Sequence, residues 1–571
     1  MKHWTVTAFS SLSTMVLAAT PYSLDFDESR YTLKTLSLEG KEVKVRAYED
    51  IVYVKYPVDA EYQTLNIYIP EAYYEGKTIG NYTQQNAPIF LPNMIGGYRP
   101  SKAAVLGEDP QNNFAPPPRI GQAEKGKAKA EGAVHGDFPG ASMRSNTVLV
   151  ALSKGYVVAL PGARGNSSQN TQGIYTGKAP AAIVDLKAAV RYLRYNDAKM
   201  AGDATKIISN GTSAGGALSA LLGATGNDKA YESYLKELGA AEAQDDIFAV
   251  SSYCPITNLE HADMAYEWLF NIVQTYQSRR MMPMSSGEKN DRMPPMPMQG
   301  GNDRMSPPEG MPPRGNHERT GQAEEAQSLT PDQIALSNRL KALFPVYVNS
   351  LRLKKEDGSL LGLDEQGNGT FKEYLQSFVI ASAQKALENG KDVSSLSWIS
   401  IKDGRIESMN FNQYVRYMGR MKTPPAFDAL DLSSPENSEF GTNEISARHF
   451  STFSKENDPA GGMAEPSLIA LMNPMEHIGV QGVNTAKYWR IRHGSIDKDT
   501  SLAIPLILAT KLQNSGLNVD FAFAWDKGHS GDYDLEELFA WMEKISLARS
   551  KSIGRFDDLC LHVTCAPPPK H

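Results

Sequence analysis

Apolar and polar residues alternate between Tyr31 and Pro70, as in VKVRAY and LNIYIP. A two-residue rhythm of this kind predicts half-buried antiparallel strands at the start of a sheet. The rhythm then changes. PIFLP (88–92) and GYVVALPG (155–162) are short apolar runs closed by Gly or Pro, the form of strands buried on both faces. KIISN (206–210) and IFAVSSY (247–253) repeat that form. Residues 180–195 place Ile183, Leu186, Ala189, Val190 and Leu193 three and four apart, which predicts an amphipathic helix. After residue 480 the alternation resumes with KYWRI (487–491), a helix over 501–515 and NVDFAFAW (518–525). Strands alternating with helices predict an α/β protein with a doubly wound, mostly parallel sheet.

Residues 257–472 lose that alternation and read as largely helical, with helices predicted over 331–354 and 370–389. The expected organisation is therefore a core of two parts, 19–256 and 473–571, split by an inserted lid domain, 257–472. Residues 103–146, rich in Ala, Gly, Pro and Lys, are expected to be a surface insertion. Residues 281–315 hold eight of the 21 methionines among Pro, Gly, Asn and Arg. Methionine can bind Cu(I), but this composition reads as a loop without a packed core. LDEQGNGTF (363–371) lacks the alternating acidic residues and terminal Glu of a calcium loop, so a turn between helices is expected.

Composition narrows the class. Of 571 residues, 41% are hydrophobic and 22% charged, as in ordinary globular proteins. Lys plus Arg number 58 against 65 Asp plus Glu, a net charge of -7, so no basic field exists to hold a nucleic acid. Three cysteines build neither a disulfide scaffold nor a structural zinc spacing. Cys254 reads as a small buried hydrophobe, and Cys560 and Cys565 as a tail pair that could close a loop or remain free thiols. Lys2 and His3 precede an apolar and small stretch ending VLAA, which predicts a signal peptide over 1–18, cut near Ala18, and an exported, periplasmic or extracellular chain. The stretch is too short to span a bilayer.

The most informative run is IISNGTSAGGALSALLG (207–223), where a strand pattern meets Gly211-Thr212-Ser213-Ala214-Gly215 and a helix pattern follows. This is a nucleophile elbow in its proper context, with Ser213 at the tip of a turn that tolerates only small neighbours. A serine hydroxyl needs a general base oriented by an acid, and in this arrangement the order along the chain is Ser, acid, His. His529, four residues beyond the run ending at Trp525, and Asp497, after the strand ending at Ile491, lie in loops that leave strand carboxyl ends. Oxyanion stabilisation needs two N–H donors. Ala214 supplies one, and NMIGGYRP (93–100) offers Gly97 as the other, with Gly96 as the alternative. The chemistry requires no metal or cofactor.

These stretches, together with CPITNLEHADMAYEW (254–268), RMKTPPAFDALDLSSPEN (420–437), WRIRHGSIDKDTS (489–501) and HSGDYDL (529–535), resemble the bacterial tannases of the lactobacillal type, serine esterases of the α/β-hydrolase fold. The resemblance implies a galloyl esterase that acts on a small-molecule galloyl ester, with Ser213, Asp497 and His529 as its triad. It also implies that Lys422, Glu436 and Asp499 bind the galloyl hydroxyls, which donate to carboxylates and accept from an ammonium. Fungal tannases and feruloyl esterases carry cysteines beside the catalytic Ser and His, where this chain has Thr212 and Ser530. The alternatives are a broader carboxylesterase or feruloyl-type esterase and, outside catalysis, a silent hydrolase-fold binding protein.

Overall fold

The computed structural model describes residues 20–106, 141–277 and 326–548. The expected signal peptide, the methionine-rich stretch 281–315 and the two tail cysteines lie outside the described residues.

The alternating N-terminal segment forms β1 (Thr32–Leu38), β2 (Lys41–Val52) and β3 (Thr64–Pro70). All three are antiparallel, and β1 keeps one face exposed as its rhythm requires. The apolar runs become β4 (Pro88–Pro92), β5 (Val157–Pro161), β6 (Asp203–Thr212) and β7 (Ala249–Tyr253). Two small pairs follow, β8 (Thr275–Tyr276) with β9 (Gln327–Ser328), and β10 (Ile399–Lys402) with β11 (Arg405–Met409). The last strands are β12 (Tyr488–Gly494) and β13 (Asn518–Ala524). The main sheet has nine strands in the order β1-β2-β3-β5-β4-β6-β7-β12-β13, and every pairing from β5 to β13 is parallel. This is the α/β-hydrolase arrangement, with β6 an interior strand between β4 and β7.

Helices cover the sheet: α1 (Ala141–Ser153), α2 (Ala181–Tyr195), α3 (Ala214–Ala224) and the short α4 (Glu232–Glu237). Between β7 and β12 the chain forms α5 (Ala262–Phe270), α6 (Pro331–Ser350), α7 (Thr370–Glu388) and α8 (Phe411–Met418). The short α9 (Pro435–Glu439), α10 (Thr452–Asn457) and α11 (Pro466–Leu471) complete that segment. The chain then returns through α12 (Ala503–Asn514) and α13 (Leu535–Leu547). α3 is buried all round, as its uniformly small and apolar sequence demands. Phe344 and Val348 of α6 and Phe371 and Leu375 of α7 belong to the same buried cluster as Ile207 and Ile208 of β6, so the intervening segment packs onto the sheet through a continuous core.

Several boundaries differ from those expected. The 103–146 segment is not surface throughout: Ala103, Ala104 and Leu106 are buried, and α1 begins at Ala141. Asn66 Nδ2 on β3 donates to the carbonyls of Ala103 (3.3 Å) and Ala104 (3.0 Å), which pins that end to the sheet. β12 runs past Ile491 to Gly494, because Arg492 is accommodated in the strand by an ion pair with Asp520 at 2.9 Å. The first predicted lid helix stops at Ser350, and Arg352 turns into the left-handed region at φ 50°. The segment 363–371 is the expected turn, closed by Asp364 N donating to Asn368 O at 2.7 Å. Among the described residues no helix is long and apolar enough to cross a membrane.

Candidate active site

β6 ends at Thr212 and α3 starts at Ala214, so Ser213 alone makes the turn, at φ 61° and ψ -125°. A non-glycine residue in that region carries a strain of about 1–3 kcal/mol, sustained here by the packing around it. A Cβ on Gly211 would collide with the backbone of Gly215, and one on Gly215 with the Asn93 side chain and the Ile95 carbonyl. The glycines therefore let β6, α3 and the loop after β4 meet at one point. Ser213 N donates to Tyr253 O at 2.9 Å. The Ala214 N–H belongs to the first turn of α3, where amides lack an intrahelical acceptor.

The loop after β4 lies against this turn. Asn93 Nδ2 donates to Gly215 O (3.0 Å) and to Ser219 Oγ (2.9 Å). Gly97 sits at φ 56°, and its carbonyl accepts from Asn166 Nδ2 at 3.1 Å. The same Asn166 amide donates to Pro435 O at 3.2 Å, which ties this loop to the start of α9. Asn166 has no sequence signal of its own and becomes visible only through these two contacts.

The expected acid and base, Asp497 and His529, lie in the loops after β12 and β13, which are zipped together. Ser495 N donates to Ala524 O (2.8 Å), Ile496 N to Lys527 O (3.0 Å) and Asp526 N to Ser495 Oγ (2.9 Å). Gly494 leaves room for the crossing backbone of Lys527 and Gly528. Asp497, fully buried, receives His529 Nδ1 on Oδ2 at 2.8 Å. Its Oδ1 receives the amides of Asp499 (2.8 Å) and Thr500 (3.3 Å). Burial alone would raise the carboxyl of Asp497, but the charges of His529 and His493 outweigh it and hold the group well below the usual carboxylate range. The His529 loop is anchored to the nucleophile strand, since Asn210 Nδ2 donates to Asp532 Oδ1 at 3.0 Å. Gly531 lies against Thr212, where a Cβ would strike the threonine hydroxyl.

Cys254 is buried, as expected, and polar groups of the site surround it. It follows β7 at φ 45°, its thiol lies 3.4 Å from Ser530 O, and it stands beside Asp497 and His529. Only the packing of β7 against β12 brings it there.

Lys422, Glu436 and Asp499, drawn from three separate segments, also converge. Lys422 Nζ pairs with Asp499 Oδ1 at 3.2 Å and lies 3.9 Å from the centre of the Phe427 ring. Asp499 Oδ1 in turn is 3.8 Å from His529 Nε2. Burial raises the carboxyl of Glu436 above its ordinary value, against the opposing charge of Lys422. Tyr266, on α5, aligns the set by accepting from Lys422 N (3.0 Å) and donating to Lys498 O (2.9 Å). Arg420, paired with buried Glu267, donates through Nε to Lys422 O at 2.7 Å. Asn437 Nδ2 bonds Asp428 at 2.6 Å and fixes α9 behind Glu436. Tyr266, Glu267 and Arg420 lie inside the sequence stretches already singled out, yet their supporting roles depend on distant partners.

Burial lowers the His529 imidazolium pKa, but the carboxylates of Asp497 and Asp499 outweigh it and raise the group well above its ordinary value. A general base must be neutral, so activity should appear as pH rises through this raised value. In Asp499→Asn a negative charge 3.8 Å from Nε2 is removed, the imidazolium loses support and its pKa falls. The acid limb of kcat/KM for p-nitrophenyl acetate is expected to move to lower pH, and a pH–rate profile checks it. A limb that stays in place or moves upward contradicts the assignment.

A strained serine between an interior parallel strand and a helix, with a buried Asp–His pair at the neighbouring strand ends, defines a serine hydrolase of the α/β-hydrolase class. An esterase-domain family model described as BD-FAE matches residues 132–293. No curated protein matches the chain. The crystal structure of Fusobacterium nucleatum tannase is 47% identical, covering 92% of this chain and 100% of that one with a TM-score of 0.77. Native tannin acyl hydrolase from Lactobacillus plantarum is 38% identical over 92% and 99%, with a TM-score of 0.76. A tannin acyl hydrolase in complex with ethyl gallate is 37% identical over the same shares, with a TM-score of 0.75. The chain belongs to the tannase family and is a carboxylic ester hydrolase.

Proposed function

We propose that the chain hydrolyses galloyl esters through an acyl-enzyme in which Ser213 attacks the ester carbonyl, His529 takes its proton and Asp497 orients the imidazole. The N–H groups of Ala214 and Gly97 receive the developing oxyanion, and water activated by His529 then releases gallate. The observation that carries this reading is the convergence of Lys422, Glu436 and Asp499 beside His529 Nε2. One ammonium and two carboxylates match a ring that both donates and accepts hydrogen bonds. A ring without hydroxyls would forgo hydrogen bonds to buried Glu436 and to the half-buried Lys422–Asp499 pair, and a site built to bond hydroxyls discriminates against a ring that lacks them. The complex of a 37% identical relative with ethyl gallate supports the same substrate class. The leader-like residues 1–18 support an exported enzyme.

Comparison of methyl gallate, methyl ferulate and p-nitrophenyl acetate tests the reading. Lys422→Ala and Glu436→Ala are each expected to lower kcat/KM for methyl gallate by about 100-fold or more, the scale of a lost charged hydrogen bond plus an orphaned partner. The loss on p-nitrophenyl acetate should be much smaller. Equal losses on the two esters would remove these residues from substrate recognition.

A further inference from the structure

Beside the proposed Asp–His pair lie two buried side chains that ester hydrolysis does not use, Cys254 and His493. Cys254 Sγ, a carboxylate oxygen of Asp497 and a ring nitrogen of His529 all lie within 4.8 Å of one another. A fourth group faces them. His493, on β12, is fully buried, with its Nε2 3.5 Å from Asp497 Oδ2. Its ring nitrogens make no close hydrogen bond among the described residues and face Asp497 and the Cys254 thiol, so a buried imidazole stands beside the cluster with no role in the proposed triad. Thiolate, carboxylate and two imidazoles are the donor types that bind borderline and soft divalent cations.

We infer that Cys254, His493, Asp497 and His529 form a binding site for a thiophilic divalent cation, Zn2+ or Cd2+, whose occupation switches the hydrolase off. Metal–donor distances of about 2.0–2.3 Å place the donors of a tetrahedral site roughly 3–4 Å apart, near the spacing of Cys254, Asp497 and His529, and His493 Nε2 approaches the same Asp497 carboxylate at 3.5 Å. Two anions, the Cys254 thiolate and the Asp497 carboxylate, balance the double charge. Binding releases the thiol proton to solvent, together with any proton held between the imidazoles and the carboxylate. His529 keeps a side-chain exposure of 13%, which gives an ion a path from the cleft. An ion that takes Asp497 and His529 as ligands removes the general base, so the inhibitory consequence rests on the proposed triad, whereas binding itself does not. Mg2+ and Ca2+, which prefer oxygen ligands, should leave the enzyme active.

The test uses the full chain with Cys560→Ser and Cys565→Ser, which leaves Cys254 as its sole thiol. Cd2+ is titrated in and the ultraviolet cadmium–thiolate charge-transfer band is followed without substrate. Zn2+ is titrated separately against p-nitrophenyl acetate hydrolysis, with EDTA reversal. The band is expected to appear and Zn2+ to inhibit reversibly. In Cys254→Ala and Cys254→Ser, each measured against its own metal-free rate, the band should vanish. The half-inhibiting Zn2+ concentration should rise by at least about 100-fold, since even outer-shell partners of a metal contribute about 10- to 100-fold. His493→Gln should weaken Cd2+ binding while leaving the band detectable. No band in the folded parent, or unchanged Zn2+ sensitivity in both Cys254 variants, overturns the site. A band that forms without loss of activity overturns its inhibitory role and tells against the triad, independently of which ester is preferred.

Discussion

Ser213→Ala is expected to fold like the parent and to lose methyl gallate hydrolysis by about a million-fold in kcat, the scale seen when a serine hydrolase loses its nucleophile. The fold should persist because alanine keeps the Cβ and enters the φ 61° turn on the same terms as serine, while Gly211 and Gly215 still clear their neighbours. Residual rate enhancement of about a thousand-fold or more over water should remain from the oxyanion donors and substrate binding. Initial rates, a urea midpoint and loss of fluorophosphonate labelling together measure the outcome. A folded Ser213→Ala protein that turns over methyl gallate near the parent rate would remove this serine from the chemistry, and with it the triad.

Asp497→Asn should cost about ten thousand-fold in kcat with little change in KM. The substitution preserves size, and the Asn carbonyl can still accept the amides of Asp499 and Thr500. The loss concerns the proton. Asp497 accepts from His529 Nδ1 at 2.8 Å, so the imidazole presents a basic Nε2 to the cleft. An Asn amide would donate to Nδ1, move the ring proton to Nε2 and leave no lone pair for the serine proton. The same change removes the charge that supports the imidazolium as it forms. Single-turnover kinetics with methyl gallate separate this from a binding defect. An equal loss from raised KM alone would reassign Asp497 to ground-state binding.

Some of this molecule is legible locally. The strands of the main sheet follow from two patterns: alternation where one face is wet, and continuous apolar runs where both are covered. The elbow is legible because the strand–turn–helix pattern and its small residues are contiguous, and a Cβ on Gly211 would strike Gly215 within the turn. Asp497 and His529 are legible from chain order and from their places after strands. The edges of the 103–146 segment were not, because small residues such as Ala103 and Ala104 have no periodic pattern and owe their burial to Asn66 on a different strand. The end of β12 was hidden for a related reason: Arg492 and His493 read as a loop until Asp520 and the neighbouring strands surround them.

By itself, then, the sequence determined the parallel sheet and the strand–turn–helix elbow at Ser213, and it singled out Asp497 and His529 as expected partners, since those readings rest on hydrophobic periodicity, on steric limits among adjacent residues and on places after strands. Only the tertiary structure decided that Cys254 is no ordinary core thiol, that His493 stands behind the Asp–His pair, and that Tyr266 and Asn166 set Lys422 and the loop at Gly97 in place. Each of those facts depends on side chains from different strands and helices meeting at the carboxyl edge of one sheet. Their separation along the chain leaves no local pattern for a sequence to display.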